Sequence, residues 1–207
     1  MMKYEKNKSF LVVLCTCLVF LFSGCSMKNI NYKKAMFLYQ DGMKLSSQGD
    51  FDGALEKFNA SIKISEENKF MPGVAHNYNE IGNIYTYKKK FNIARQYYQK
   101  ANEIYKEKNM ATETSKSFDN IAKTYVRQND YDQALKEYEH LLSWDMETSN
   151  LLGAGLTNFN MALICEKYTL DYKRARKLYK DALDIFTELN REKEAKEAHK
   201  GIIRLNY

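Results

Sequence analysis

Apolar and polar residues along positions 33–190 follow the spacing of amphipathic helices, and the pattern repeats about every forty residues. The small residue Gly82 corresponds to Gly42 forty positions earlier and to Ala122 and Ala162 forty and eighty positions later. Apolar residues at i, i+3, i+4 and i+7 form a stripe along one side of a helix. Because a single helical hairpin cannot bury such a stripe alone, a fixed period predicts hairpins that stack on their neighbours. Large residues share the period: Phe51, Phe91, Tyr131 and Tyr172, and then Phe58, Tyr98, Tyr138 and Tyr179.

The period predicts eight helices and a ninth, more polar one at the end of the chain. Gly49-Asp50 and Asn129-Asp130 are typical of a helix C-cap followed by an N-cap. Pro72-Gly73 marks the joint between the first two repeats, and Leu170–Tyr172 holds one extra residue in the loop of the fourth. The predicted helices are 33–48, 51–67, 73–89, 91–108, 111–128, 131–146, 150–167 and 171–189, followed by Arg191–Leu205.

These residues resemble the tetratricopeptide repeat, in a long variant of about forty residues. The second repeat carries Tyr78, Ile81, Gly82 and Tyr85 on its first helix and Phe91, Ala94, Tyr98 and Ala101 on its second. The resemblance implies an all-α, tetratricopeptide-type superhelical solenoid of about four hairpins with a C-terminal capping helix. The repeats are predicted at 33–70, 71–109, 110–148 and 149–190, and the capping helix at 191–207. A plain helical bundle is the alternative.

The N-terminal residues 1–24 resemble a bacterial lipoprotein signal peptide. A basic start precedes the apolar run Phe10–Phe22, which is too short to span a bilayer, and then comes Ser23-Gly24-Cys25. The resemblance implies cleavage before Cys25, a covalent lipid such as palmitate on its thiol, and a short tether over residues 25–32. The protein is then expected in the bacterial cell envelope, on the outer membrane facing the periplasm or on the outer leaflet of the plasma membrane. An ordinary cleaved signal or an uncleaved anchor is the alternative.

Charge and motifs argue against nucleic-acid binding and against catalysis. The full chain carries a net charge of +6, of which the first 24 residues hold three Lys and one Glu, so +4 remains on the rest. The three His residues fall in different units of the chain, away from any metal-ligand spacing, and the sequence has no phosphate-binding Gly loop or nucleophile elbow. Cys165 aligns with Tyr85 and is expected to be a buried thiol. We therefore predict no enzyme activity and no cofactor apart from the lipid on Cys25.

The family resemblance implies a concave groove lined by the first helix of each hairpin. Asn120-Ile-Ala and Asn160-Met-Ala resemble a signature in which the Asn side chain binds the backbone of an extended peptide. An amide offers both a donor and an acceptor to such a backbone, although Asn can also be plain exposed surface. The predicted groove residues are His76, Asn79, Asn83, Lys116, Asp119, Asn120, Lys123, Phe159 and Asn160, with Met36, Tyr39, Met43 and Leu163 at equivalent positions.

Together these features predict a membrane-anchored adaptor or assembly factor that holds a peptide or helix of another envelope protein in the groove. The alternative is a structural spacer that self-associates as a homo-oligomer or docks through its convex face.

Overall fold

The computed structural model describes residues 29–205, and all of the regular structure in that range is helical. The predicted all-α, tetratricopeptide-type arrangement of helical hairpins is confirmed. None of the helices in this range is long and apolar enough to cross a membrane. The helices are α1 (29–47), α2 (Phe51–Glu67), α3 (Met71–Tyr87), α4 (Phe91–Glu107), α5 (Ala111–Arg127), α6 (Tyr131–Glu147), α7 (Leu151–Ile164), α8 (Tyr172–Glu188) and α9 (Glu192–Arg204).

The first helix begins earlier than predicted, because residues 29–32 are helical rather than part of an extended tether. The ring of Tyr32 packs edge-on against Phe70 with 4.9 Å between centroids, and Asn31 donates a hydrogen bond to Asn68 over 3.2 Å. These contacts with the connection between α2 and α3 stabilise the extra helical turn. Cys25, the predicted lipidation site, and the predicted signal peptide lie outside the described residues.

Successive helices are joined by short connections whose central residue has a positive φ. These residues follow a twenty-residue spacing from Gly49 (φ 85°) through Lys69, Lys89, Asn109 and Asn129 to Ser149, and after one extra residue the series continues with Leu170 and Asn190. The next residue donates its N–H to the carbonyl five positions back, as in Asp50 to Leu45 at 3.0 Å, which satisfies a free carbonyl at the helix end. The forty-residue period therefore consists of two copies of a twenty-residue unit, each made of one helix and the connection that follows it.

Both of the predicted cap pairs are confirmed. The backbone N–H of Gly53 donates to the Asp50 carboxylate over 2.9 Å, and that of Gln133 donates to Asp130 over 3.2 Å. Pro72 and Gly73 do not form a joint, because they lie inside the first turn of α3, which begins at Met71. Proline is compatible with a first helical turn, where its missing N–H leaves no hydrogen bond unmade.

The extra residue of the fourth repeat lies at the end of a helix rather than in a loop. After Ile164 the chain continues as a π-helical turn over Cys165–Thr169 and ends with Leu170 at φ 58°. A π turn takes up one additional residue within a helix. The thiol of Cys165 is fully buried there, as predicted, and burial raises its pKa.

The described residues form two compact parts, which divide between Asn77 and Tyr78. In the first part, a Cβ on Gly42 would lie 2.7 Å from the Phe58 ring, and in the second, a Cβ on Gly82 would lie 2.6 Å from the Tyr98 ring. Both distances are shorter than side-chain packing allows. The small residue of the repeat therefore lets the aromatic ring of the second helix approach the backbone of the first, which is the packing that the period predicts.

The predicted capping helix forms as α9 and packs on α8. Its buried residues are Ala198 and Gly201, and the Tyr179 ring approaches Gly201 so closely that a Cβ would lie 2.6 Å from it. The Arg204 guanidinium donates to both Glu166 oxygens over 2.8 and 2.9 Å, joining α9 to the π turn. Ala195 and Ile202 are half-buried against the core, and the opposite face of α9 is mostly charged and exposed, as expected of a helix that covers an open end.

Candidate peptide-binding surface

An open cavity of about 380 Å³ lies between α5, α6 and α7 in the second compact part. First helices supply two of its walls, and the second helix α6 supplies the floor. Lys116, Asp119, Lys123 and Asn160, four of the predicted groove residues, line it together. The remaining lining residues are Thr112, Ser115, Leu141, Asp145, Asn150, Leu152, Gly153, Leu156 and Thr157.

The cavity exists because one position in the buried stripe of α6 holds a small polar side chain. Along α4 the stripe ends in Tyr105, and along α8 it ends in Phe186, and both rings are buried. The equivalent residue of α6 is Asp145. An aspartate fills much less volume than an aromatic ring, so space remains between the two neighbouring first helices.

The Asp145 carboxylate is fully buried and bound by neutral donors. Asn150 Nδ2 donates to it over 2.8 Å and Thr157 Oγ1 over 3.3 Å, and the hydroxyl of Ser115 also donates. Burial raises the pKa of Asp145, and these hydrogen bonds oppose the rise. A Cβ on Gly153 would lie 2.7 Å from Oδ1, so glycine is required where α7 passes the carboxylate.

Asp119 connects three elements at the edge of the cavity. Its Oδ1 accepts from Tyr138 over 3.1 Å and from Asn160 Nδ2 over 3.4 Å, and its Oδ2 pairs with Lys123 at 2.6 Å. Burial and this neighbouring carboxylate raise the pKa of Tyr138, so the phenol stays protonated as a donor. The exposed Lys116 and Lys123 supply donors beside these acceptors, so the surface can pair with both the N–H and the C=O of a peptide.

The predicted groove residues of α3 lie beyond the cavity and bond with protein groups. Asn120 Nδ2 donates to Asn79 Oδ1 over 3.1 Å, which links equivalent faces of adjacent first helices. Asn83 donates to Glu80 over 2.9 Å and accepts from the Tyr98 hydroxyl over 2.8 Å. Burial raises the pKa of Tyr98 to about 12, so it too remains a donor. These amides stabilise the hairpins, and their role in peptide binding stays a prediction.

Two predicted groove residues lie elsewhere. Phe159 packs edge-on against Tyr179 at 5.5 Å and lines a separate cavity of about 190 Å³ beside Phe186 and α9. His76 belongs to the first compact part, where it lines a cavity of about 180 Å³. The nine predicted residues therefore do not share one site.

Sequence reasoning missed Ser115, Asp145, Asn150 and Thr157. One signal was readable: Ala134, Tyr138, Leu141 and Asp145 follow helical spacing, so a carboxylate occupies the apolar stripe of α6. The other three residues become recognisable as its partners only when the fold brings α5 and α7 beside it.

The fold and this surface define an all-α helical-repeat protein with a polar cavity between its first helices. The chain belongs to the SNAP family, described as soluble NSF attachment protein, whose family model matches residues 21–156. No curated protein sequence is similar enough to match the chain.

Three solved structures share the fold. The apo form of RapI superposes with a TM-score of 0.73 at 18% identity, covering 83% of this chain and 48% of RapI. Aspartyl phosphate phosphatase F from Bacillus subtilis superposes with a TM-score of 0.72 at 20% identity, covering 93% of this chain and 50% of the phosphatase. A Rap protein complexed with Competence and Sporulation Factor superposes with a TM-score of 0.57 at 19% identity, covering 83% of this chain and 53% of the Rap protein. The chain spans about half the length of these proteins.

Proposed function

We propose that this chain is a membrane-anchored, non-catalytic adaptor of the bacterial cell envelope, which holds a peptide segment of another envelope protein against α5 and α7. The observation that carries the proposal is the cavity of about 380 Å³ at the surface predicted to bind peptide. It has fixed hydrogen-bonding groups on its walls and exposed lysines at its edge.

The side chains at the cavity are held in place before any ligand binds. Asp119 is held by Tyr138, Lys123 and Asn160, and Asp145 is held by three neutral donors. A preorganised surface loses less conformational entropy on binding than a flexible one. Acceptors and donors that face an extended peptide can satisfy its backbone without demanding one particular sequence.

The comparisons support a protein partner. The family is named for attachment to another protein, and one structure of the same fold contains a bound factor. Neither identifies the partner of this chain. The envelope is proposed because residues 1–24 resemble a lipoprotein signal.

Anchoring is tested by metabolic labelling with a palmitate analogue in cells that produce the full chain or its Cys25→Ser variant. We expect label on the membrane-associated full chain and none on the variant. Equal labelling of the two would contradict lipidation of Cys25.

Peptide binding is tested by crosslinking and pull-down from native membranes with the full chain, a Lys116→Ala/Asn160→Ala variant and a matched control. The control is Gln99→Ala/Lys136→Ala, which removes two exposed side chains from the second helices α4 and α6. We expect one envelope protein to be recovered with the wild type and the control but lost with the cavity variant, whose helicity is checked by circular dichroism. Recovery with all three would contradict binding in the cavity.

The spacer alternative predicts a different outcome of the same pull-down. The wild type, the cavity variant and the control would then all recover only further copies of this chain. The second helices α4, α6 and α8 each present one exposed large apolar residue, Ile93, Met146 and Tyr172 respectively. Such single residues are ordinary for a protein surface and do not define a docking face.

A further inference from the structure

The first compact part contains a counterpart of the peptide cavity, displaced by eighty residues in sequence. This second cavity, of about 180 Å³, lies between α1, α2 and the first turns of α3. Each of its lining residues corresponds to a lining residue of the larger cavity eighty positions later. The lining residues are Tyr32, Ala35, Met36, Tyr39, Ser61, Ser65, Phe70, Gly73, His76 and Asn77.

The two cavities have the same origin in the repeat. Ser65 ends the buried stripe of α2 at the position that Asp145 occupies in α6. A side chain smaller than the aromatic residues of α4 and α8 again leaves space beside the next first helix. The smaller cavity, however, has aromatic walls where the larger one has charged and polar groups: Tyr32, Tyr39 and Phe70 replace Thr112, Asp119 and Asn150.

Two buried polar atoms in this cavity have no hydrogen-bond partner among residues 29–205, the part of the chain that the structure describes. They are Ser65 Oγ and Asn77 Oδ1, on side chains that are 1% and 2% exposed. Asn77 Nδ2 donates to Ser61 Oγ over 3.0 Å and to the Gly73 carbonyl over 2.7 Å, and these bonds fix which end of the amide carries the unpaired oxygen. Buried polar atoms in native proteins almost always have a partner, so two such atoms beside one cavity mark a place where a polar ligand group can bind.

We propose that this cavity binds a phenol, the side chain of a tyrosine in the partner protein. A cavity of about 150 Å³ accommodates a benzene ring, so this one can hold a single aromatic side chain. The ring would pack among Tyr32, Tyr39 and Phe70, where edge-to-face contacts between aromatic rings are favourable. A phenolic hydroxyl is both a donor and an acceptor, so it can donate to Asn77 Oδ1 and accept from the Ser65 hydroxyl.

This inference rests on the proposed function only in assigning the tyrosine to the partner protein. Binding of the phenol itself can be measured without that partner. If the pull-down recovers no envelope protein and the phenol binds here, the adaptor role fails and the site stands. If a partner is recovered and the phenol does not bind, the site fails alone.

The experiment compares N-acetyltyrosinamide with N-acetylphenylalaninamide, which differ by one hydroxyl group. Binding to the full chain is followed through the NMR shifts of the Ser65 and Asn77 backbone amides, so that only this cavity is observed. We expect the tyrosine derivative to bind about tenfold more tightly, since its hydroxyl pairs with both orphaned atoms. Ser65→Ala should reduce that preference to about threefold or less, because one partner is removed.

The substitutions are chosen to leave the fold intact. The Ser65 hydroxyl has no hydrogen-bond partner in the described part of the chain, so Ser65→Ala removes none of the hydrogen bonds found there, and unchanged circular dichroism confirms the structure of the variant. Ser143→Ala, which changes an exposed serine of α6 outside both cavities, is the matched control and should retain the full preference. Equal affinity for the two probes would overturn the proposal, as would tighter binding of N-acetylglutaminamide, since that result would assign the cavity to a carboxamide. If the cavity holds only water, none of the probes would change the NMR shifts of the Ser65 and Asn77 amides. This result would also overturn the proposal.

Discussion

Replacement of Asp145 by asparagine is expected to stabilise the protein at neutral pH. Burial raises the pKa of this carboxyl in the folded state, so folding disfavours its ionised form. The folded state then binds more protons than the unfolded state between the unfolded pKa of about 3.9 and the raised folded value, and stability falls as pH increases through that window. Asparagine has no such cost. Its Oδ1 can accept from Asn150 and Ser115, and its Nδ2 can donate to Thr157.

Replacement of Asp145 by alanine separates the hydrogen bonds from the charge. Three donors lose their acceptor, and a lost hydrogen bond costs about 1 kcal/mol. Two donors have another acceptor within reach, because the single Ser115 O–H can turn to the Ala111 carbonyl at 3.1 Å and Asn150 Nδ2 also donates to Ser115 Oγ over 3.1 Å. Only Thr157 is left without a partner. We therefore expect Asp145→Ala to cost about 2 kcal/mol relative to Asp145→Asn.

Urea unfolding monitored by circular dichroism at pH values from 7.5 to below 4 measures both effects. The advantage of Asp145→Asn over the wild type should be largest at pH 7.5, decrease as pH falls through the raised pKa, and become constant below about pH 3.9. The difference between the asparagine and alanine variants should not change with pH. If the wild type and Asp145→Asn respond identically to pH, the carboxyl is not desolvated in the way that its burial requires.

Three further changes test other parts of the fold by urea unfolding. Leu170→Gly should stabilise by about 0.5–1 kcal/mol, because Leu170 is exposed and adopts a positive φ that glycine tolerates; a loss of stability would contradict strain there. Lys90→Asp should raise the free energy of unfolding by about 1 kcal/mol, because it supplies the side-chain N-cap that α4 lacks. Lys100→Asp, in the middle of the same helix, is the control and should give no such increase. Arg204→Ala should lower the free energy of unfolding by about 0.5–1 kcal/mol at pH 7, a small effect because solvent screens the half-exposed arginine. The hydrogen bond from Arg204 lowers the pKa of Glu166, so this contribution is present above the unfolded pKa of about 4.3 and is lost as pH falls through the folded value; a cost that does not decrease as the pH is lowered would contradict the ion pair.

The candidate surface was predictable only in part. Lys116, Asp119, Lys123 and Asn160 follow from their place on first helices beside the small residue of the repeat, and they do line one cavity. Phe159 lies three residues before the small residue Ala162, just as Asp119 lies three residues before Ala122. Its ring nevertheless packs toward Tyr179 and not into this cavity. A residue's place on a helix indicates its direction to within about one turn, and the side chains of the adjacent helix then decide which space it faces.

The sequence by itself determined the helices, their pairing and their close contacts. Local spacing is sufficient for this, because an apolar stripe must be buried and because Gly42 and Gly82 admit the rings of Phe58 and Tyr98. It also marked the corners at Gly49-Asp50 and Asn129-Asp130, where backbone conformation depends on neighbouring residues alone.

Only the tertiary structure decided where the chain leaves empty space and which polar groups face it. Ser65 and Asp145 are recognisable in sequence as polar residues in an apolar stripe, but a cavity forms only if the helices on either side fail to fill the volume. Asn77 and Thr157 illustrate the difference. Both follow the preceding second helix by the same distance, yet Thr157 hydrogen-bonds with Asp145 while Asn77 retains an unpaired oxygen. Such differences depend on distances between atoms far apart in the chain, which a sequence period does not specify.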